Sequence, residues 1–339
     1  EQARNEMDRK GGNLLSLSLL RSLLRVKDAD IFHAHSGKRL GGIVRTAARR
    51  RGLPYVISLH GGVYDVPDNE MQQMLQPTKG TFEWGRAFGA ALGARRVLDD
   101  ADAILCVGQN EQQEVQARFP HKRVEWLPNG VDIDCFSNGN GQRFRSKHGI
   151  PQESKMLLCV SRIDYQKNQL ALVEMMRSLM TRHHDAHLVL IGPVTIASYH
   201  LKIIECIERL GLSNQVTLLP GLPTGSTDLV DAYHAADVFC LPSRHEPFGI
   251  VVLEAWAAGL PVVASDIGGI PTFTEDGEDV LHIDPEDSAT IVTAVDALLS
   301  NKQLRTKLTE NGLKKARNRF DWSRISERLA SIYQDIRTH

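Results

Sequence analysis

The chain has 339 residues, 42% hydrophobic and 24% charged, with a formal net charge of −1. That length suffices for two α/β domains with a core each, and the composition excludes a disordered chain. The near-neutral balance gives no basic surplus for nucleic acid and no acidic tail, which favours a small-molecule or glycan substrate.

In chain order, strands are predicted at residues 30–35, 55–60, 103–107, 123–127, 156–161, 187–191, 215–219, 238–241, 261–265 and 280–283. Most are near-continuous apolar runs, the pattern of parallel strands buried on both faces. The segments between them carry helical periodicity. Regular alternation of this kind means doubly wound α/β sheets. The turn-rich run SNGNGQ at 137–142 is the best linker and leaves four predicted strands before it and six after. Ligands are then expected at the carboxyl ends of the strands, in a cleft between two domains.

Some targeting signals are absent from the pattern. The first twelve residues are polar and lack the apolar stretch of a signal peptide. The longest apolar run, 248–264, is interrupted by Glu254, Gly259 and Pro261. Cys106, Cys135, Cys159, Cys206 and Cys240 are scattered and have no metal-ligand spacing. Such cysteines suit a reducing compartment, so a cytoplasmic location is expected. The segment 81–97, TFEWGRAFGAALGARRV, mixes aromatics with Arg86, Arg95 and Arg96. An ordinary amphipathic core helix is the first reading, and peripheral contact with the inner membrane face is the second.

The strongest chemical signal is LPSRHEPFGIVVLEAWAAGLPVVASDIGG, 241–269. A buried strand ends, a polar loop carries Glu246, and Phe248-Gly249 opens a helix that carries Glu254. The backbone N–H groups of Phe248, Gly249 and Ile250 would form an anion site for a phosphate, with Gly249 permitting close approach. Glu246 can accept from sugar hydroxyls, and Glu254 suits a vicinal diol such as ribose. The bland alternative is a loop carboxylate and a solvent-facing helix carboxylate. It fits poorly, because the helix around Glu254 is apolar and an unpaired carboxylate there is costly.

A second constellation is VSRIDYQKNQ, 160–169. Arg162 and Lys167 follow a strand, and two cations at that place can clamp a diphosphate. Taken alone, a solvated charged loop is the default. Next to be weighed is Pro128-Asn129-Gly130 in WLPNGVDIDCF, a turn directly after a strand. Of the histidines, His33-Ala34-His35 and His60-Gly61-Gly62 end strands and would face the cleft. His183, His184 and His187 are read as surface residues rather than metal ligands. Asp28-Ala29-Asp30 and Asp132-Ile133-Asp134 have the D-x-D form but are not placed like a metal-ligand pair after an apolar strand. Gly37-Lys38 lacks the rest of a P-loop, and no G-x-G-x-x-G occurs.

The segment EPFGIVVLE resembles the E-x7-E signature of retaining GT-B glycosyltransferases, in particular family 4. VSRIDYQKN is similar to that family's G-R-x-x-x-x-K-G stretch, with Ser161 and Asn168 in place of the glycines. PNGVD and AAGLPVVASDIGGIP match its pattern as well. Relatives often carry a glutamate shortly after the paired glycines, where this chain has Thr272 and Phe273. The resemblance implies an α/β GT-B fold: two facing Rossmann-like doubly wound domains with a central cleft. The domains expected are 1–138 on the acceptor side and 139–319 holding the donor nucleotide. Residues 320–339 are expected as a C-terminal helix packing back on the first domain.

The resemblance further implies a sugar transfer from a UDP- or GDP-type donor, with retention of configuration, to a glycan, lipid-linked or small-molecule acceptor. Arg162 and Lys167 would hold the diphosphate, Glu246 the donor sugar and Glu254 the ribose, while His60 would approach the donor sugar. No metal and no further cofactor are expected, because the protein cations would stabilise the leaving diphosphate. The competing class is a nucleotide-sugar-binding protein without transferase activity, and a GT-B epimerase stands third. In this family the first domain opens with a strand and a glycine-rich loop. Here Gly11-Gly12 follows the polar EQARNEMDRK, so a truncated N-terminal domain is expected, one that binds donor, transfers poorly and aggregates.

Overall fold

The computed structural model describes residues 16–61 and 93–338. The chain forms two compact units, Glu1–Pro128 with Ser326–His339, and Asn129–Ile325.

In the first unit, the described elements begin with α1 (Leu17–Arg25), β1 (Phe32–Ala34), α2 (Lys38–Arg51) and β2 (Tyr55–Leu59). They continue with β3 (Ala103–Cys106), α3 (Gln109–Arg118) and β4 (Arg123–Trp126). The strands pair in parallel in the order β1-β2-β3-β4, with Phe32 opposite Tyr55, Val56 opposite Ala103 and Ala103 opposite Arg123. Every residue of β2 and β3 is buried, which is why YVISL and AILC show no polar alternation. Helix α2 covers the sheet with Ile43, Ala47 and Ala48, one helical face, all essentially sealed from solvent. The helix α12 (Trp322–Thr338) ends the chain. Its later part joins this unit through Arg328 to Glu125 at 2.9 Å and Asp335 to Arg123 at 3.0 Å.

The second unit starts with α4 (Ile133–Phe136), α5 (Gly141–His148), β5 (Lys155–Val160), α6 (Gln169–Leu179) and β6 (Ala186–Ile191). It continues with α7 (Ala197–Leu210), β7 (Val216–Leu219), α8 (Thr227–Ala235), β8 (Val238–Leu241) and α9 (Ile250–Ala257). It closes with β9 (Val262–Ser265), β10 (Leu281–Ile283), α10 (Ser288–Ser300) and α11 (Lys302–Lys315). The parallel order is β10-β9-β8-β5-β6-β7. The chain therefore steps outward from β5 through β6 to β7 and then returns to place β8 on the other side of β5. That reversal opens a crevice beyond the carboxyl ends of β5 and β8, where doubly wound sheets bind ligands. The core is built from strand residues such as Leu157, Leu188, Leu190 and Val238, packed under α6, α7 and α10. Each fully buried aliphatic side chain of this kind contributes about 1.5–3 kcal/mol.

All ten predicted strands are present, in two sheets of four and six. The boundary lies elsewhere than expected. The units divide at Pro128–Asn129, whereas the SNGNGQ segment read as a linker is packed against α8. Within it, the Asn140 N–H donates to Asp231 at 2.7 Å, and Asn140 Oδ1 accepts from Arg143 N at 2.9 Å to cap α5. Gly139 and Gly141 lie so near His234 and Ala235 that a Cβ would collide with them. These turn formers permit close packing here rather than a free tether.

Candidate active site

The loop after β5 carries both predicted cations. Asp164 Oδ1 accepts from Gln166 N at 2.8 Å and starts the 3₁₀ turn Tyr165–Lys167. Asp164 Oδ2 lies 3.2 Å from Arg162 Nη1, and the Arg162 side chain stays half exposed. Asn168 adopts φ 53°, and its amide donates to Pro285 O at 2.9 Å. This is the place where the resemblance has glycine, and asparagine is the non-glycine residue that tolerates left-handed backbone best. The turn points Lys167 inward: its Nζ donates to Glu246 Oε2 at 2.7 Å and to His245 O at 3.4 Å.

The loop after β8 supplies the other half. Its Arg244 N–H donates to Gln166 O at 2.7 Å, tying the two loops together. Glu246 is buried, and its Oε2 also accepts from Ser243 Oγ at 3.4 Å. Its carbonyl accepts from Gly269 N at 2.8 Å. Gly249, at φ 98° and ψ 55°, ends the loop in backbone open to glycine, and a Cβ there would sit 2.5 Å from Ile270 Cδ1. Helix α9 begins at Ile250, and its first turn closes early, Val252 N donating to Gly249 O at 3.0 Å, so the N–H groups ahead of Val252 point beyond the helix start.

The structure thus brings Lys167 and Glu246 into a buried ion pair, beside the start of the helix that Phe248 and Gly249 introduce. It does not join Arg162 to either; that guanidinium is directed by Asp164. A buried pair of this kind is locally neutral, and removing one partner strands the other charge. The anion-binding capacity of the loop therefore rests on Arg162, the helix start and the remaining donor capacity of Lys167 Nζ.

Glu254 is 6% exposed, so the solvent-facing alternative fails. Its Oε2 accepts from Tyr233 Oη at 2.6 Å. Burial pushes the Glu254 carboxyl above its usual value, and the Tyr233 bond pulls it partly back. Burial, followed by the neighbouring Glu254 charge, raises the Tyr233 phenol well above its ordinary value, so it remains a donor.

In the first unit, the histidines expected at strand ends form a stacked group. His35 Nδ1 lies 3.1 Å from His60 Nε2, and the His33 and His35 rings are 4.1 Å apart. His33 is further fixed by Ser58 Oγ at 2.8 Å and Tyr333 Oη at 2.5 Å. Burial, then the nearby His35 and His60, lowers His33 to about 4. Burial and His35 lower His60 as well. The Gly61 N–H donates to Glu111 Oε2 at 3.3 Å, from a carboxylate buried in the first turn of α3. Gly62 and the rest of residues 62–92 lie outside the described residues, as does Gly11-Gly12. Most of the segment 81–97 falls there too, and its last residue, Val97, is buried.

Several residues were missed or misread in the sequence. His187 is not a surface residue: it is buried on β6, with Nε2 2.8 Å from Thr217 Oγ1. Its position inside an apolar strand was the signal. Asp132 caps α4 by accepting from Cys135 N at 2.9 Å. Tyr233, the hydroxyl beside Glu254, carried only the signal of a tyrosine among the apolar positions of TDLVDAYHA, whose Oη needs a partner when buried. Glu111 stands three residues after the helix-opening Gly108, a position where a glutamate can reach back toward the loop. Thr272 bonds its own turn, Oγ1 to Gly269 O at 2.6 Å. Phe273 stacks on Phe248 with ring centroids 4.9 Å apart, so apolar packing fills the place of the relatives' glutamate. Among the described residues, no helix is long and apolar enough to cross a membrane.

The family model described as Glycosyl transferases group 1 matches residues 140–315, and that of Glycosyltransferase Family 4 matches residues 4–135. A D-inositol 3-phosphate glycosyltransferase of Corynebacterium glutamicum is 29% identical over 249 residues, covering 71% of this chain and 59% of the relative. D-inositol 3-phosphate glycosyltransferase 1 of Catenulispora acidiphila is 30% identical over 320 residues, 91% of this chain and 72% of the relative. The chain thus spans less than two thirds of the Corynebacterium relative's length. The crystal structure of Anabaena HepE in complex with UDP and glucose superposes with a TM-score of 0.75 at 19% identity, covering 94% of this chain and 80% of that one. That likeness makes the fold class GT-B, with two Rossmann-like α/β units. Since the group 1 model alone spans more than half of the sequence, the chain belongs to the glycosyl transferases of group 1, with the family 4 pattern in its first unit.

Proposed function

We propose that this protein transfers a sugar from a nucleotide-diphosphate donor, UDP- or GDP-linked, to a glycan, lipid-linked or small-molecule hydroxyl, with retention of anomeric configuration and without a metal ion. The observation that carries the reading is the Lys167–Glu246 pair at the crevice between β5 and β8, next to the start of α9 and on the same segment as Glu254. In this reading Arg162, Lys167 and the N–H groups of Phe248, Gly249 and Ile250 receive the diphosphate. Negative charge grows on it as the glycosidic bond breaks, and fixed cations and dipoles oppose that charge without reorganising. Glu246 accepts from hydroxyls of the donor sugar, held at its place by Lys167. Glu254 accepts from the ribose. The resemblance also assigns His60 a role toward the donor sugar. The names of the relatives and the UDP and glucose bound by Anabaena HepE support a UDP-type donor and put inositol phosphates on the list of acceptors to test.

The test is a nucleotide-release assay with a panel of UDP- and GDP-sugars and hydroxyl acceptors, including D-inositol 3-phosphate, run with and without EDTA. Release that needs an acceptor and persists in EDTA, with a product whose anomeric coupling by NMR matches the donor's, supports the reading. Binding of the donor with no transfer and no slow hydrolysis would instead favour a nucleotide-sugar-binding protein.

A further inference from the structure

Tyr233 lies outside the motifs that define the site, yet it touches one of its central groups. Its ring is fully buried on α8, edge-on to Phe136 at 5.5 Å and stacked on Phe239 at 5.6 Å. Those contacts fix the direction of the hydroxyl, which donates to Glu254 Oε2 at 2.6 Å. The second carboxylate oxygen of Glu254 makes no hydrogen bond among the described residues, and it is not sealed from solvent. Cys135 of α4 is near enough to feel the Glu254 charge: burial, then Asp132 and Glu254, raises its thiol.

We propose that Tyr233 is a positioning residue for nucleotide recognition: its hydroxyl occupies one oxygen of Glu254 and presents the other to the ribose diol. The inference rests on the reading of Glu254 given above. A free carboxylate on a helix samples several rotamers and turns both oxygens in turn. With one oxygen tied to a phenol held between two rings, the other stays aimed outward as an acceptor. The phenol is a donor that remains protonated, so it also helps to keep the carboxylate ionised in its buried place.

Tyr233→Phe tests this, because it keeps the ring packing and removes only the hydroxyl. Binding of UDP and 2′-deoxy-UDP is measured by titration calorimetry, with GDP and 2′-deoxy-GDP in parallel. The unmodified protein is expected to prefer the ribonucleotide. In Tyr233→Phe, ribonucleotide affinity is expected to fall about tenfold while the deoxynucleotide changes little, so the preference collapses. In a Glu254→Gln background, Tyr233→Phe should add almost nothing, since the hydroxyl acts through the carboxylate. A melting scan checks the fold, and Tyr233→Met, which fills the same space flexibly, carries the same arms if the Phe variant does not fold. A ribonucleotide preference unchanged in Tyr233→Phe, or an equal loss for both nucleotides, would overturn the inference alone. A wild-type protein that binds both nucleotides equally would overturn the reading of Glu254, and this inference with it.

Discussion

At the residue scale, the two cations of the β5 loop differ in what their loss should do. Lys167 is buried against Glu246 at 2.7 Å, so Lys167→Ala leaves a carboxylate without its counter-ion. The expected cost is about 3 kcal/mol of stability, read as a lower urea midpoint, beyond any effect on binding. The Arg162 guanidinium is half exposed and pairs with Asp164, a carboxylate that keeps Gln166 N and Thr195 Oγ1 as donors, so Arg162→Ala should lower the midpoint much less. Equal midpoints for the two variants would remove the argument for a buried pair. His33 sets a second expectation. Its folded value of about 4 lies below the ordinary 6.5, so between those two values the unfolded chain binds the proton and the folded chain does not. Stability is therefore present in full above pH 6.5 and declines as the pH falls toward 4. Denaturation at pH 7 and pH 5 should show the decline, and His33→Gln should reduce it; an unaltered slope in that variant would place the acid sensitivity elsewhere.

At the element scale, the position of α9 depends on α11. An added Cβ at Gly312 would sit 2.4 Å from Trp256 Cδ1, and Trp256 Nε1 donates to Asp279 O at 3.0 Å, so the indole cannot simply swing away. Gly312→Ala should destabilise the second unit by about 1–3 kcal/mol. The melting temperature should fall by about 2–4 °C for each kcal/mol. No change in melting would mean that α9 and α11 separate at little cost. The strands were legible in the sequence because parallel strands sealed on both faces leave continuous apolar runs, as in YVISL and VFCL. The loops carrying Arg162, Lys167 and Glu246 were legible for a related reason: each directly follows such a run. Pairings were not legible. Nothing local to Lys167 states that it will meet Glu246 rather than solvent, and Tyr233 reaches Glu254 only because α8 and α9 converge in space. The SNGNGQ segment misled because the same small and turn-forming residues serve a flexible tether and a tight contact on α8.

At the scale of the whole molecule, the account depends on strand order. The return of the chain from β7 to β8 beside β5 places two loops together whose cations and carboxylates are far apart in sequence. If those loops bind a diphosphate, loss of Arg162 must affect the nucleotide through its phosphates and not through its base or ribose. Calorimetric titration of UDP and of uridine into the wild-type chain and Arg162→Ala measures this directly. The expected result is UDP affinity at least about tenfold lower in the variant with uridine affinity unchanged, the loss of one charge-assisted phosphate contact. An equal loss for UDP and uridine, or UDP binding indifferent to the substitution, would contradict the diphosphate site.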